Sequence, residues 1–481
     1  MLSLIKNELF KLFHKKSTFV FLIIALLYVM LTNVIYRYYY SDVFVSSANY
    51  YEDKNYALEY INNYDPAVDN LSDYSYYLAL LDCYGWVDDY DFDSWQYKVI
   101  MEKYLYLAQN YYYESHVENS NAENISAIKD EMFKMLQAIE KSDWQYFANL
   151  EKEELEESIS NYEILLAGEN INQSDKVEYQ MQLYIANEQL KLVNARLEDD
   201  IVYANDYLNT AIDNINNSLY SMAEYLYNPE PGYNYDETLK QYNENQYILA
   251  NKVDNNDEQT LRGVLVNFFN EYSFLILIFI IMIAGGIVSD EFNKGTIKSL
   301  LTTPYKRTTI LLSKYITALL MIIFIVLAIL LMQFVIGGIF LGFSSLSVPV
   351  ATYNLTTGNI DVLNVFSYFL VHFIAYLPQL ILLVTLAFAC STILNNTAFA
   401  IALTFCGMIG AEIINSLALV YDIKFLNYFV TTNWDFTTHL FGGTSPFGLS
   451  LTHSIIICLI YLIIMLAITF IVFNKKDIKN V

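Results

Sequence analysis

The sequence has little of what catalysis and metal binding require. Only 5 histidines and 4 cysteines occur in 481 residues. They form no cluster with zinc-ligand spacing, and neither His-Glu-x-x-His nor Gly-x-Ser-x-Gly occurs. A Gly-x-x-x-x-Gly-Lys-Ser/Thr phosphate loop is also absent. We therefore expect no metal, no cofactor and no catalytic residue. We expect that this chain is not an enzyme, and that any ATP hydrolysis associated with it occurs on a separate polypeptide.

Positive charge is also scarce, and the two signs are unevenly distributed. The chain holds 52 acidic and 27 basic residues, and 43 of the acidic but only 13 of the basic residues lie between 41 and 262. That segment carries about −30, whereas the rest of the chain carries about +5. Its one cysteine, Cys83, excludes a disulfide within the segment. The abundance of Tyr, Asn, Ile and Lys suggests an AT-rich genome and hence a low-GC bacterium.

Long apolar runs precede and follow the acidic segment. A hydrocarbon core of about 30 Å needs roughly 20 apolar helical residues. The runs that meet this requirement are 18–36, 268–289, 314–343, 364–391, 397–420 and 450–473. The first is near full bilayer length and lacks a small-residue cleavage site, so we interpret it as a span rather than a signal peptide. The sequence predicts an all-α membrane protein with six transmembrane helices.

Lysine and arginine residues predict which side of the membrane each loop faces, because short cytoplasmic loops retain them. Four lysines precede the first span, five basic residues lie between 294 and 314, and three lysines follow the last span. The loops 344–363 and 421–449 contain one lysine, Lys424, and no arginine. We therefore expect a multi-pass protein of the cell membrane with both termini in the cytoplasm and residues 41–262 outside it.

The inserted segment 41–262 predicts a mainly helical domain. The stretches 123–160 and 172–227 contain no proline, and apolar residues recur in them at helical spacing. We expect long helices there, with a break and cap at Asn170 or Asn172 that forms an antiparallel helical hairpin. The predicted organisation is an interfacial helix with span one (1–40), the acidic extracytoplasmic domain (41–262), and spans two to six (263–481) with a cytoplasmic loop at 290–314.

The most informative segment follows the second span, between 290 and 307. On a helix over 292–303, Ile297, Leu300 and Leu301 form an apolar stripe, and Lys294 and Lys298 form a basic stripe beside it. Such a helix lies along the membrane surface. A proline at 304 ends it before the third span.

This segment resembles the corresponding loop of the type-2 ABC export permeases. In that family an acidic residue at the end of span two is followed by Gly-Thr, an apolar pair, a proline and a basic residue. The matching positions here are Glu291, Gly295, Thr296, Leu300, Leu301, Pro304 and Arg307. The amphipathic helix before span one is similar too. The resemblance covers the first 40 residues and 264–481, but not the inserted domain.

The resemblance implies the permease subunit of an ATP-driven ABC exporter, which moves an amphipathic peptide, antibiotic or lipid-like substrate. Its implied partners are a cytoplasmic ABC ATPase subunit, a second permease chain of the same or another kind, and the lipid bilayer; no nucleic acid is expected. The negative charge of the inserted domain favours a cationic peptide as substrate. The ATPase-coupling residues would be Glu291, Lys294, Gly295, Thr296, Ile297, Leu300, Leu301, Pro304 and Arg307.

Polar residues inside the predicted spans are candidates for the translocation path. Glu412 is the one acidic residue deep within a span, and Asn415 lies one helical turn away. Gln333 is a third candidate. The structural alternative for each is an interhelical hydrogen bond.

A second function stays open: a non-transporting membrane anchor or envelope sensor that acts through the external helical domain. A secondary transporter is disfavoured, because ionisable residues for ion coupling are nearly absent from the predicted spans and no inverted repeat is evident.

Overall fold

The structure is a computed structural model. It describes residues 1–38, 43–91, 94–117, 120–168, 171–204, 206–231, 233–253, 260–301, 304–394, 396–421 and 423–476. The chain divides into two compact units, which we call the membrane unit (Met1–Tyr38 with Asp257–Val481) and the acidic unit (Tyr39–Asn256).

Helices make up most of the described chain. In chain order they are α1 (Leu2–Phe13), α2 (Lys16–Tyr38), α3 (Val43–Asn63), α4 (Leu71–Val87), α5 (Trp95–Val99), α6 (Leu105–His116), α7 (Ala122–Glu140), α8 (Trp144–Leu166), α9 (Gln173–Glu198), α10 (Tyr207–Tyr227), α11 (Asp236–Asn251), α12 (Leu261–Val266), α13 (Phe268–Gly286), α14 (Ser289–Asn293), α15 (Ile297–Leu301), α16 (Arg307–Leu341), α17 (Val365–Leu394), α18 (Thr397–Tyr421) and α19 (Leu451–Lys475). A π-helical turn, Ile100–Tyr104, joins α5 to α6, and short 3-10 turns occupy Ser344–Ser347, Lys424–Tyr428 and Thr437–Gly442.

Six helices in the described part of the chain are long and apolar enough to cross a membrane: α2, α13, α16, α17, α18 and α19. They coincide with the six predicted spans, so the prediction of an all-α membrane protein is confirmed. One boundary is wrong. The third of these helices begins at Arg307 rather than at 314, so the loop predicted at 290–314 ends at Lys306 and Lys314 lies within a helix.

The membrane unit is organised around α13. This helix packs against α16, α17 and α18, while α2 packs against α16 and α19 against α17. Its side chains from Leu275 to Ile281 belong almost entirely to the buried core of the unit. By contrast, α18 and α19 leave most of their surface exposed. Apolar side chains therefore cover both the inside and the outside of the bundle. A surface helix of a soluble protein is apolar on one face only, whereas a membrane span is apolar all round.

The loop between α16 and α17 contains a β-hairpin that the sequence did not predict. Strands β1 (Val350–Asn354) and β2 (Asn359–Leu363) pair antiparallel, with Val350 opposite Leu363. Gly358 takes a positive φ of 69° in the turn between them. The buried Arg262 of α12 donates hydrogen bonds to the carbonyl oxygens of Val348 (3.1 Å) and Pro349 (2.9 Å), so it fixes this loop to the start of α13.

The acidic unit consists of helical hairpins, as predicted in outline. The helices α8 and α9 pack together, as do α10 and α11, and α4 and α6. The Asn172 side chain caps α9 by accepting a hydrogen bond from the Asp175 N–H at 2.8 Å, which confirms one of the two proposed caps. Asn170 lies outside the described residues.

The long helices predicted over 123–160 and 172–227 are each broken in two. A turn at Ser142 (φ 56°) separates α7 from α8, and a turn at Asp200 (φ 56°) precedes α10. The N-caps Asp143 and Asp206 restart the helices by accepting hydrogen bonds from Tyr146 N–H and Asn209 N–H. Spacing of apolar residues did not show these breaks, because it continues across both turns.

Candidate functional site

The strongest candidate site lies at one end of the membrane unit. At this end α2, α16 and α18 begin and α13, α17 and α19 end, and we call it the charged end. Direct contacts connect its parts: Arg307 donates to the carbonyl oxygens of Asn474 (3.4 Å) and Lys476 (3.1 Å), and Lys476 donates to that of Thr392 (2.7 Å). The loop 287–306 and the helix α1 both lie here.

An ion-pair cluster is buried beneath the loop. Lys314 of α16 is 2% exposed, and its Nζ lies 2.6 Å from Glu8 Oε2 and 3.3 Å from Glu291 Oε1. Lys11 of α1 bridges the same two carboxylates, at 3.0 Å from each. Two cations therefore face two anions, and the Ile287 carbonyl accepts a further hydrogen bond from Lys314 at 3.1 Å. Such full pairing is what makes a buried charge tolerable.

The electrostatics of Glu291 follow from this setting. Burial alone would raise its pKa, but the charge of Lys314, the Thr296 hydroxyl and Lys11 outweigh burial and lower the pKa to about 2. For Lys11, burial alone would lower the pKa, and the bonds to Glu8 and Glu291 raise it above its usual value. Both groups thus carry full charge at neutral pH.

A second set of contacts ties the loop to α18. Asp290 Oδ2 pairs with Lys15 at 2.6 Å, and Asp290 Oδ1 accepts a hydrogen bond from the Thr397 hydroxyl at 2.7 Å. Thr397 also lies 2.8 Å from Ser289 Oγ and 3.0 Å from Asn293 Nδ2. The loop after α13 is therefore fastened to α1, to α16 and to the first turn of α18.

The loop is not the single helix predicted over 292–303. Two short helices, α14 and α15, are separated by a turn at 294–296. Gly295 has a positive φ of 66° in this turn, in the region that favours glycine. The turn lets Phe292 and Ile297 both reach the buried core of the unit. One continuous helix would not place these two side chains there together.

The predicted coupling residues divide into two groups. Glu291 and Ile297 point inward, into the ion-pair cluster and the apolar core. Lys294, Gly295, Thr296, Pro304 and Arg307 are exposed. Leu300 and Leu301 belong to α15, but their side chains lie outside what the structure describes. The exposed residues form the surface that a partner can touch, whereas the inward ones hold that surface in place.

A cavity of about 590 Å³ opens between α1 and this loop, lined by Lys11, Lys15, Asp290, Glu291 and Lys294 among others. Sequence reasoning missed Glu8, Lys15 and Lys314 as parts of the site. A signal was present for two of them, because Glu8 interrupts an apolar face of α1 and Lys314 stands inside an apolar run. Only the fold reveals that they meet.

The carboxyl-terminal half of the chain matches a known protein family. Residues 235–479 match the family model described as "Protein of unknown function (DUF2705)". This chain belongs to that family. The match includes the loop 287–306 and every candidate span after the first, but neither α1 nor most of the acidic unit.

Two proteins of Bacillus subtilis (strain 168) are similar to this DUF2705 chain. "Uncharacterized protein YhcI" is 28% identical over 237 residues, which is 49% of this chain and 75% of that protein. "Uncharacterized membrane protein YdbK" is 28% identical over 200 residues, which is 41% of this chain and 76% of that protein. No solved structure matches the chain.

The three candidates for a translocation path in this DUF2705 protein have different surroundings. Gln333 is fully buried and accepts hydrogen bonds from Asn33 Nδ2 and Tyr272 Oη, both at 2.7 Å. It therefore joins α2, α13 and α16 as an interhelical contact. Glu412 is exposed on α18, and the buried Oδ1 of Asn415 has no hydrogen-bond partner among the described residues. The structure does not bring Gln333 into contact with either.

Proposed function

We propose that this protein is the membrane-spanning permease subunit of an ATP-driven ABC exporter. In this proposal the charged end faces the cytoplasm with both termini, and residues 41–262 lie outside the cell membrane. A separate ABC ATPase subunit docks on the loop 287–306 and supplies the energy. A second permease chain completes the transporter.

One observation carries the proposal: the loop 287–306 has an exposed polar surface, and the same loop is held in place by a buried ion-pair cluster in which every charge is paired. Lys294, Gly295 and Lys298 face outward on the loop, while Glu291 on the same loop is held by Lys11 and Lys314. Because the loop is also fastened to α18 through Thr397, a displacement of its outer face is passed to α1, α16 and α18 together. A loop that only connects two spans does not need these buried ion pairs and hydrogen bonds to other helices.

The exposed face of α18 supports the need for a second chain. A carboxylate at the centre of a bilayer costs about 2.5–3.5 kcal/mol on insertion scales, and it normally faces a protein interior or a water-filled cavity. Glu412 projects from a face of α18 that the membrane unit leaves uncovered. In the proposed transporter this face lies against the second permease chain and borders the path of the substrate.

The acidic unit favours a cationic or amphipathic peptide as substrate. Tyrosine rings of α3 and of the residue after it lie against tyrosine rings of α4, with centroids 4.6 Å apart for Tyr60 and Tyr77 and 3.9 Å apart for Tyr64 and Tyr74. Asp73 precedes Tyr74 on the same surface. Aromatic faces beside carboxylates attract ammonium and guanidinium groups by two additive effects, cation–π attraction and Coulomb attraction.

The first experiment is purification of the tagged chain from its own cells in mild detergent, with identification of the proteins that accompany it and an ATPase assay. We expect a P-loop ATPase to accompany the chain and to hydrolyse ATP. The variant Lys294→Glu/Lys298→Glu should lose this partner, because it reverses charge on the exposed docking surface without touching the ion-pair cluster.

The matched control is Lys424→Glu, which reverses the charge of an exposed lysine at the opposite end of the spans and should retain the ATPase. Recovery of the chain alone, with no ATP hydrolysis, would reject the permease proposal. It would favour the anchor or sensor that acts through the acidic unit.

A further inference from the structure

A small polar cavity lies within the acidic unit. It has a volume of about 140 Å³ and is lined by residues of α5, the π-helical turn Ile100–Tyr104, α8, α9 and α10, together with Tyr203. Pockets for drug-sized ligands usually measure roughly 300–1,000 Å³, so only a small molecule fits. Three cations line it, which is unusual in a unit that carries about −30.

The deepest of these cations is Arg196, which is 5% exposed. Both hydrogens of its Nη1 are used, by the Ile201 carbonyl at 3.1 Å and the Asn209 side-chain oxygen at 2.8 Å. Its guanidinium plane covers the Tyr203 ring, with Cζ 4.0 Å from the centroid. Among the described residues, the hydrogen bonds of Arg196 are those of its Nη1, and its Nε and Nη2 make none. The Glu102 carboxylate is close enough to interact with the Arg196 charge but forms no ion pair with it. A buried cation in this state calls for an anion.

The other two cations of the cavity are already neutralised. Lys98 pairs with Asp213 at 3.3 Å, and Lys103 pairs with Glu151 at 2.6 Å. Tyr203 also donates to Glu151, at 3.3 Å. Neither lysine therefore competes with Arg196 for an anionic ligand, and neither Asp213 nor Glu151 is available to Arg196.

Two acceptors in the same cavity have no donor. Glu102 is exposed at the rim of the cavity and makes no hydrogen bond or ion pair with any described residue, and the buried Oδ1 of Asn216 on α10 also has no partner. Unpaired acceptors next to an unpaired guanidinium would normally close on it. Here they line a cavity instead, and π-helical turns of this kind often occur at functional sites.

We propose that this cavity binds a small zwitterion, an α-amino acid, with its carboxylate on the unused side of the Arg196 guanidinium and its ammonium group between Glu102 and Asn216. Such a ligand supplies both missing partners at once. A bidentate carboxylate suits the planar guanidinium, and an ammonium group supplies only donors. The volume excludes a peptide. The site is thus separate from the proposed export of larger substrates, and it gives the acidic unit a sensing role.

The test is isothermal titration of the purified full-length chain, without any ATPase, with glycine, L-alanine and L-serine. Ethylamine and propionate serve as the two halves of the ligand. We expect at least one of the amino acids to bind, and each half to bind at least about tenfold more weakly. A hydrogen bond to a charged group contributes about 1.5–3 kcal/mol, and each 1.4 kcal/mol is a factor of ten in affinity.

The variant Glu102→Gln should weaken binding by about tenfold or more. It leaves the fold intact, because Glu102 makes no hydrogen bond to a described residue. Glu163→Gln, the same change at an exposed position of α8 outside the cavity, should bind as the unchanged chain does. No binding of any of the three amino acids, or equal binding by Glu102→Gln, would overturn the site. Because no ATPase is present, either result leaves the permease proposal untouched.

Discussion

Lys314 and Glu8 lie 2.6 Å apart although 306 residues separate them in the chain. The pair joins the first helix of the protein to α16, and both side chains are almost fully buried. Because Lys11 and Glu291 complete the cluster, every charged group in it has a partner of opposite charge. The geometry thus fixes the relative position of α1, the loop 287–306 and α16 in a single contact region.

We expect Lys314→Met to be strongly destabilising. Removal of one partner from a buried ion pair costs about 3–5 kcal/mol, because the remaining charge stays buried. The double variant Glu8→Leu/Lys314→Met should recover part of this loss, since the Lys11 and Glu291 pair stays balanced. Thermal unfolding of the purified variants in detergent measures both effects.

The control for this prediction is Lys298→Met, which removes the same kind of charge from an exposed position of α15. Its effect on stability should stay within about 0.5 kcal/mol. If Lys314→Met were as mild as Lys298→Met, the ion-pair cluster would not hold the loop.

The second prediction concerns pH. The pKa of Glu291 is about 2 in the folded chain, below its usual value of 4.5. A carboxylate whose pKa is lower in the folded chain than in the unfolded chain stabilises the fold. This stabilisation is complete at pH values above the unfolded pKa, and it is lost as the pH falls toward the folded pKa. The stability difference between the unchanged chain and Glu291→Gln should therefore be constant above about pH 5 and shrink between about pH 4.5 and 2.

Melting curves of both chains across this pH range measure that difference. The other carboxylates titrate alike in both chains, so their effect on stability cancels in the difference. A difference that grew on acidification would mean that the pKa of Glu291 is raised in the folded chain above its usual value of 4.5. The ion pairs with Lys11 and Lys314 would then be wrong.

The spans were predictable from the sequence, because a bilayer imposes one length and one composition on any helix that crosses it. The same argument located α16 too late, since it treated Lys314 as a loop residue. A lysine inside an apolar run is unfavourable unless it has partners, and its partners Glu8 and Glu291 lie far away in the sequence. Burial with distant partners is the kind of fact that local patterns do not contain.

The site was predictable only in part. The segment from Glu291 to Arg307 drew attention to a loop that contributes Glu291 to the ion-pair cluster. The single helix expected there overlooked Gly295, whose positive φ divides it. The cavity around Arg196 was not foreseen at all. Its residues come from five separate helical segments and the turn before α10. The breaks at Ser142 and Asp200 that arrange these segments are set by turn conformation rather than by apolar periodicity.

The third prediction is that Gly295→Ala destabilises the loop. The left-handed conformation costs roughly 1–2 kcal/mol for a residue with a Cβ atom. A Cβ at this position meets no atom within 4 Å, so backbone strain is the whole effect. Gly295→Asn should cost less than Gly295→Ala, because asparagine tolerates this region better. Protease cleavage within the loop, compared between the variants, reports the local loss.

Gly410→Ala is the matched control, since a Cβ at this glycine of α18 also meets nothing within 4 Å and its φ is helical. Alanine is favoured over glycine within a helix by about 1 kcal/mol, so this variant should be neutral or more stable. Equal destabilisation by Gly295→Ala and Gly410→Ala would contradict the role of the turn.

The last prediction separates folding from transport at Glu412. This side chain is exposed in the single chain, and its carboxylate makes no hydrogen bond or ion pair with a described residue. Glu412→Gln should therefore leave the melting temperature of the detergent-purified chain unchanged. In vesicles containing the chain and its ATPase it should lower the export of a cationic peptide, because the negative charge beside the path is gone. Leu417→Gln adds the same polar group to another exposed position of α18 without removing a charge. Unchanged export by Glu412→Gln, or equal loss in both variants, would exclude Glu412 from the path.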